Sequence, residues 1–282
     1  MVRIAAIGDN VTDCYVDRGT MYPGGNCVNV AVWAARAGAE TAYVGQVGDD
    51  ERGALLCDAL AAEGVDTTRV RVVPGVTSRT VVRHIDGDRY FGATDKGVRV
   101  FTPTVEDVNF VAGFDLAHVS YCSELDHVVA DISRHVAVSY DFDDRIRTRG
   151  AEKLLRHVTV AAFSGSHLDD DDAADVVSWA HSCGARWVIL TRGGLPAHVS
   201  NGTRVEQATP RPITAVDTLG AGDAFIGRVL VGIVSKTPLH LLAGNAVKAG
   251  AQACLEPGGF GHGKDLTDDD GGLQRLLAVR AN

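Results

Sequence analysis

The sequence opens with an alternation that few architectures accommodate. "VRIAAIG" is a short apolar run ending in glycine. "NCVNVAVWAARAG" follows a Pro-Gly-Gly turn and carries Val28, Val32 and Ala35 on one helical face, with Gly38 as its stop. "ETAYVGQVG" is a second apolar run, and "DERGALLCDALAAEG" is a helix with an acidic start and a glycine end. Strand, helix, strand, helix in this order predicts an α/β fold with a parallel sheet, because parallel neighbours need a crossover and the crossover helix covers the sheet. A chain of 282 residues is long enough for one large α/β domain with a substantial core.

The alternation breaks once. "VTSRTVVRHI", the turn "DGD" and "RYFGAT" predict a hairpin of alternating polar and apolar residues, lying on top of the α/β body. Afterwards "FDLAHVS", "HVAVSYDF", "HVTVAAFS" and "ARWVILT" are successive strand candidates. The last third holds two alanine-rich helices, "GAGDAFIGRVLVGIV" and "PLHLLAGNAVKAGAQACL". The acidic run "LDDDDAAD" reads as a solvated helix start.

Charge and cysteine usage exclude several classes. A net charge of −9 argues against nucleic acid and anionic membranes as partners. The six cysteines form no CxxC pair, and the ten histidines show no metal-binding spacing. No apolar run has membrane-spanning length, and "MVRIAAIGDN" lacks a signal-peptide pattern. The expectation is a reduced, cytoplasmic protein.

"DTLGAGDAF", Asp217 to Phe225, carries the most chemistry. A helix beginning near Gly220 leaves the N–H groups of Ala221, Gly222 and Asp223 unpaired at the positive end of its dipole. That is an anion site, and the small residues let a phosphate approach closely. A carboxylate beside a bound phosphate is electrostatically awkward. It becomes useful if it accepts the proton of a hydroxyl attacking that phosphate.

This segment resembles the C-terminal signature of the ribokinase-like, PfkB-type carbohydrate kinases, D-T-x-G-A-G-D. "PGGNCVNVAVWAARAG" with "VGQVGDDERG" resembles their N-terminal signature. The resemblance covers nearly the whole chain. It implies a single three-layer α/β/α sandwich with a small β-sheet lid, here at about 12–24 and 76–100. It also implies ATP-dependent phosphorylation of a sugar hydroxyl, with Asp223 as catalytic base and Gly220, Ala221 and Gly222 in the anion hole.

The sugar side is expected in the N-terminal half. Hydroxyl-rich ligands need carboxylates and amides. "GDNVTD" supplies Asp9 and Asp13 just after the first strand, with Asn10 more plausibly a turn residue. "GGNCVN" supplies Gly24, Gly25, Asn26 and Asn29. On the nucleotide side, "VILTRGGLPAHV" resembles the family's T-x-G-x-x-G turn, so Thr191 and Gly193 carry over while Pro196 replaces the second glycine. Asp217 and Asn245 complete the expected nucleotide contacts. The family's N-x-x-E magnesium motif is absent from "FSGSHLDDDD". Mg2+ is therefore expected to work through water and phosphate oxygens, with no protein ligand assigned. "GGFGHGKD", Gly258 to Asp265, nearly spells a P-loop but ends in Asp265 and lacks the strand–loop–helix context. It reads instead as a glycine-rich loop near the adenine.

Within the family the wording, including "IGDNVTDCY" and "GDRYFG", is most similar to fructoselysine 6-kinase-like members, which phosphorylate fructosamines at the 6-hydroxyl. Asp88, Arg89 and Phe91 are candidates for closing over the sugar or forming a homodimer contact through the lid. Lys96 would disfavour a substrate with a cationic tail. Two other readings stay open: a kinase of the same fold for another sugar or a nucleoside, and a catalytically weak sugar-binding regulator.

Overall fold

The computed structural model describes residues 1–85, 88–267 and 271–278. The chain begins with β1 (Arg3–Ile7), β2 (Val11–Tyr15), β3 (Thr20–Gly24), α1 (Asn26–Arg36), β4 (Glu40–Gly48), α2 (Glu51–Ala62), β5 (Asp66–Val73), β6 (Arg79–Ile85) and β7 (Asp88–Asp95). It continues with α3 (Val105–Val111), β8 (Leu116–Ser120), α4 (Asp126–Ile132), β9 (Ala137–Asp141), α5 (Arg149–Leu155), β10 (Val160–Ser164), α6 (Asp170–Ser182) and β11 (Trp187–Thr191). Last come β12 (Ala197–Ser200), β13 (Val205–Ala208), α7 (Ala221–Val234), α8 (Leu239–Ala253), β14 (Lys264–Asp265) and α9 (Gly272–Ala278).

Nine strands form the main sheet in the order β13-β12-β11-β10-β9-β8-β1-β4-β5. It is parallel from β11 through to β5, and the β12–β13 hairpin adds an antiparallel edge. The central strands are apolar on both faces because helices cover both. In β1, Ala5 and Ile7 pack with α3 to α6, while Ile4 and Ala6 pack on the opposite side. That second layer is α1 and α2 beside the long pair α7 and α8, with Val30, Ala34, Phe225, Val229 and Ala246 fully or nearly buried between them. The result is an α/β/α sandwich.

A second sheet has the order β14-β3-β2-β6-β7. Its β2–β6 pair is parallel, so the hairpin β6–β7 is docked onto the N-terminal ribbon β2–β3. Side chains alternate across it. Cys14, Met21 and Val81 pack with Leu273 of α9 and Leu55 of α2. Tyr15, Tyr22 and Val82 point the other way, onto Leu219 just before α7. Residues 86 and 87, within the expected "DGD" turn, lie outside the described residues. Among the described residues no disulfide joins the cysteines, and no helix is long and apolar enough to cross a membrane.

Candidate active site

Several stretches of chain converge above the C-terminal ends of β1, β8 and β9, where open α/β sheets place their ligands. Two helices start there for local reasons. α1 begins after Gly25, whose φ of 107° turns the chain; a Cβ on Gly25 would lie 2.6 Å from the Asn10 Cα. α7 begins after Gly220, left-handed at φ 75°, where a Cβ would lie 2.7 Å from the Gly259 carbonyl oxygen. The N–H of Ala221 points back to the Thr218 carbonyl at 3.4 Å. Those of Gly222 and Asp223 fall in the first turn, where no intrahelical acceptor exists.

Asp223 is clamped by α1. Asn26 Nδ2 donates to its Oδ1 at 2.7 Å, and Asn29 Nδ2 donates to its Oδ2 at 2.7 Å. Asn26 Nδ2 also donates to Asp141 Oδ2 at 2.7 Å, so one amide joins two carboxylates. Behind it, Asn26 Oδ1 lies 2.8 Å from His118 Nε2, and His118 Nδ1 lies 3.1 Å from Ser139 Oγ. Burial pushes His118 down to about 4, so the ring is neutral and donates to the amide oxygen. Burial pushes both carboxyls up to about 7. For Asp141 the charge of Asp223 adds to the rise; for Asp223 those of Asp9 and Asp13 add, against the lowering effect of the Asn29 and Asn26 donors. The two groups are half-buried at the floor of a cavity.

A cavity of about 880 Å3 lies between the two sheets, and Asp9, Asp13, Asn26, Asn29, Thr80 and Asp223 are among its lining residues. Asp13 projects from β2, and a Cβ on Gly24 would lie 2.5 Å from its Oδ2, so glycine is required beside it. Asp9 also lines the cavity, but its carboxylate is largely engaged. Ser120 and Ser123 hydroxyls donate to Oδ1 at 2.6 and 2.9 Å, and the Asn26 N–H donates to Oδ2 at 2.8 Å. Asp9 thus fixes the start of α1. Asn10 donates to the Tyr43 hydroxyl and the Gln46 carbonyl, as a structural residue would. Phe91 is 57% exposed yet borders the cavity, placing an aromatic edge at its mouth. The side chains of Asp88 and Arg89 lie outside the described residues. Lys96 pairs with Glu124, which cancels the charge that the sequence set against a cationic tail.

The expected nucleotide contacts divide. Thr191 lines a smaller adjoining cavity with Gly222 and Asp223. Gly193 follows at φ 61° in the turn after β11. Asp217 is a correction. Its carboxylate accepts from the Tyr15 hydroxyl at 2.5 Å, Gly258 N at 3.1 Å and Leu219 N at 3.0 Å, and it is only 4% exposed. It ties the second sheet to the chain entering α7 rather than facing a ligand. Asn245 is half-buried on α8. It lies off the face of α8 that lines a groove with Ala208, Thr209 and Arg211; that face presents Gly244, Val247, Lys248 and Ala251. The segment Gly258 to Asp265 is no P-loop. Gly259 backs onto Gly220, its carbonyl accepts from Trp33 Nε1 at 3.0 Å, and Lys264–Asp265 pairs with β3. Among the described residues no group of three or more His, Cys, Asp or Glu is arranged to hold a metal.

Sequence reasoning missed Asp141, His118, Ser120 and Ser123. Asp141 ends an apolar strand at its C-terminal end, the position that could have marked it. His118 interrupts the apolar run "LAHVS", a buried polar group that needed a partner.

Comparison with known proteins identifies the family. The chain matches the pfkB family carbohydrate kinase profile over residues 2–261 and belongs to that family. It is 37% identical over 283 residues to fructosamine kinase FrlD of Bacillus subtilis, covering 99% of this chain and 100% of that one. It is 33% identical to fructoselysine 6-kinase of Escherichia coli, over 82% of this chain and 89% of the relative. Its fold is that of Arabidopsis thaliana ribokinase complexed with ribose and ATP, at TM-score 0.79 and 19% identity, over 99% of each chain. The fructokinase of Xylella fastidiosa with bound ATP superposes at TM-score 0.75 with 23% identity, over 92% of this chain and 94% of that one.

Proposed function

We propose that this carbohydrate kinase transfers the γ-phosphoryl group of ATP to the 6-hydroxyl of a fructosamine. The observation that carries the chemistry is the carboxylate of Asp223, clamped by Asn26 and Asn29 at the N-terminus of α7 and open to a hydroxyl-binding cavity. The hydroxyl oxygen attacks the γ-phosphorus, the bond to the β-phosphate oxygen breaks, ADP leaves, and the hydroxyl proton passes to Asp223. The first-turn N–H groups of α7 face the phosphoryl oxygens. Asp13, Asn26 and Asn29 hold the sugar, and the second sheet closes over it to exclude water. The names of the B. subtilis and E. coli relatives support the fructosamine acceptor.

The groove between the end of β13 and α8 is suited to the adenine. It is lined mainly by apolar and aliphatic groups, and α8 reaches the anion site where Gly250 packs on the Ala221 carbonyl. Mg2+ travels with the triphosphate, held by phosphate oxygens and water. Exposed Tyr90 and Phe91 on the second sheet support a homodimer formed through that sheet, and ATP use fits a cytoplasmic location.

Measuring ADP release on a panel of fructosamines, plain ketoses, aldoses and nucleosides tests the reading. Fructosamines should give the highest kcat/KM. Turnover confined to nucleosides or plain sugars would replace this acceptor, and no turnover on any of them would leave only a binding protein. The pH profile is a separate check. A base is active when ionised, so kcat/KM should rise with pH through about 7. Asp13→Asn removes one of the negative neighbours that raise Asp223 and should move that midpoint down. A profile flat from about pH 5.5 to 8 contradicts the base role. Asp13→Ala should raise the sugar KM roughly 10- to 100-fold, the equivalent of about 1–3 kcal/mol for an unpaired buried partner, with a smaller change for ATP. Equal losses for both substrates would assign Asp13 to the scaffold.

A further inference from the structure

Behind the two active-site carboxylates runs a chain of buried polar groups that the transfer chemistry leaves unused. His118 on β8 and Ser139 on β9 are fully buried register neighbours, and Ser139 Oγ lies 3.1 Å from His118 Nδ1. His118 Nε2 lies 2.8 Å from Asn26 Oδ1, and Asn26 Nδ2 reaches Asp141 Oδ2 and Asp223 Oδ1, each at 2.7 Å. The direction of every bond follows from the carboxylate end. An amide oxygen turned toward two carboxylate oxygens at that distance would be repelled by both, so Asn26 presents its two N–H bonds there and its oxygen to the ring. That oxygen only accepts, so His118 Nε2 carries the proton. Nδ1 is then bare and accepts from the Ser139 hydroxyl. Burial pushes His118 down to about 4, and the Asp9 charge opposes that without reversing it. The neutral tautomer therefore persists across the range in which the enzyme is assayed.

We infer that His118 is a positioning residue for phosphoryl transfer: it holds the Asn26 amide with one N–H on Asp141 and the other on Asp223, and so keeps Asp223 an ionised acceptor for the hydroxyl proton. This rests on the base role proposed for Asp223. Four carboxyl groups crowd this end of the sheet: Asp9 after β1, Asp13 on β2, Asp141 at the end of β9 and Asp223 on α7. Burial and the charges of Asp9 and Asp13 raise Asp223, and the Asn29 and Asn26 donors oppose the rise. Burial also raises Asp141, and the Asp223 charge adds to it. An Asn26 amide free to turn about its last torsion would withdraw one of the two donors from Asp223. A glutamine at position 118 can replace the imidazole in kind, with an N–H for Asn26 and an oxygen for Ser139. A leucine fills the space and offers neither.

His118→Leu and His118→Gln test this role through two readouts, with His118→Met as the apolar variant should leucine not fold. One is the pH dependence of kcat/KM for the acceptor that the unmodified enzyme turns over best. The other is the titration of the Asp223 carboxyl, followed by carboxyl-carbon NMR without substrate and assigned with Asp223→Asn. In the apolar variant both midpoints should move up by about one pH unit, as expected for losing one hydrogen bond to a charged group, and kcat/KM at pH 7 should fall roughly 5-fold. His118→Gln should return both close to the unmodified values. An apolar variant that melts earlier with both midpoints unmoved overturns the inference, leaving His118 a core residue and the base role intact. Equal shifts in the glutamine and apolar variants overturn it too, because the donor then does not matter. A midpoint that vanishes in the apolar variant makes His118 itself the titrating group and overturns it as well. A flat profile in the unmodified enzyme, with the carboxyl titration still moved by the apolar variant, removes the base role of Asp223 and this inference with it.

Discussion

Asp223→Asn should lower kcat by about 10²–10⁴-fold, the usual worth of a positioned general base. The substitution keeps the shape of the side chain and removes its basicity. The ground state should change little, because in the proposed site Asp13 and the amides of α1 also hold the sugar. ATP affinity should hold or improve slightly, since a negative charge near the triphosphate is gone. One complication is visible in the geometry. Asn26 and Asn29 both present N–H groups to the carboxylate, and an asparagine there can accept through only one of its two positions. Some loss of thermal stability is therefore expected alongside the loss of rate, and rapid-quench measurement of the chemical step separates them. A variant that keeps most of its kcat while its melting temperature falls would mean that proton removal does not limit the reaction.

Asp217→Ala should act in the opposite sense, on the fold first. Its carboxylate takes three donors, from Tyr15, Leu219 and Gly258. Each donor left unsatisfied in a buried setting costs about 1–3 kcal/mol, so a loss of roughly 3 kcal/mol or more is expected. In a domain of this size that lowers Tm by about 6–12 °C. Turnover should fall too, because Leu219 directly precedes the Gly220 turn and Gly258 belongs to the loop that packs against it. Asp217→Asn should recover part of both. An unchanged Tm with a greatly raised ATP KM would return Asp217 to the nucleotide site.

The contrast between these two aspartates shows what was legible in the sequence. Both belong to one nine-residue motif, and the pattern marks them alike. The turn at Gly220 sends Asp223 onto α7 and into the cavity, while Asp217 stays outside the helix and meets a tyrosine 202 positions earlier. Spacing reports the local turn; it carries nothing about a long-range partner. The parallel core was readable because its strands are buried on both faces and so appear as unbroken apolar runs. β5 was not, because "DTTRVRVV" is an edge strand with exposed and half-exposed positions. The two residues of β14 are too few to leave any periodicity. Asp13, Asn26 and Asn29, which line the cavity, are marked in the sequence by the glycines beside them. Asp141 is not, because a lone acid at a strand end looks like any turn residue.

The second sheet draws its strands from Val11–Gly24, from Arg79–Asp95 and from Lys264–Asp265. Asn26 and Asp223 are likewise 197 positions apart. A ribosome adding about 5–20 residues per second needs roughly 10–40 s to travel from one to the other. Throughout that interval the nascent chain can assemble β1, α1, β4 and the Asp9 cluster, and later the Asp141–Asn26–His118 contacts. It has no Asp223 carboxylate, no α7 N-terminus and no third edge for the second sheet. On the proposed site, half-made copies and fragments cut before residue 217 should give no phosphoryl transfer, and the enzyme becomes competent only when the last part of its chain returns to meet the first.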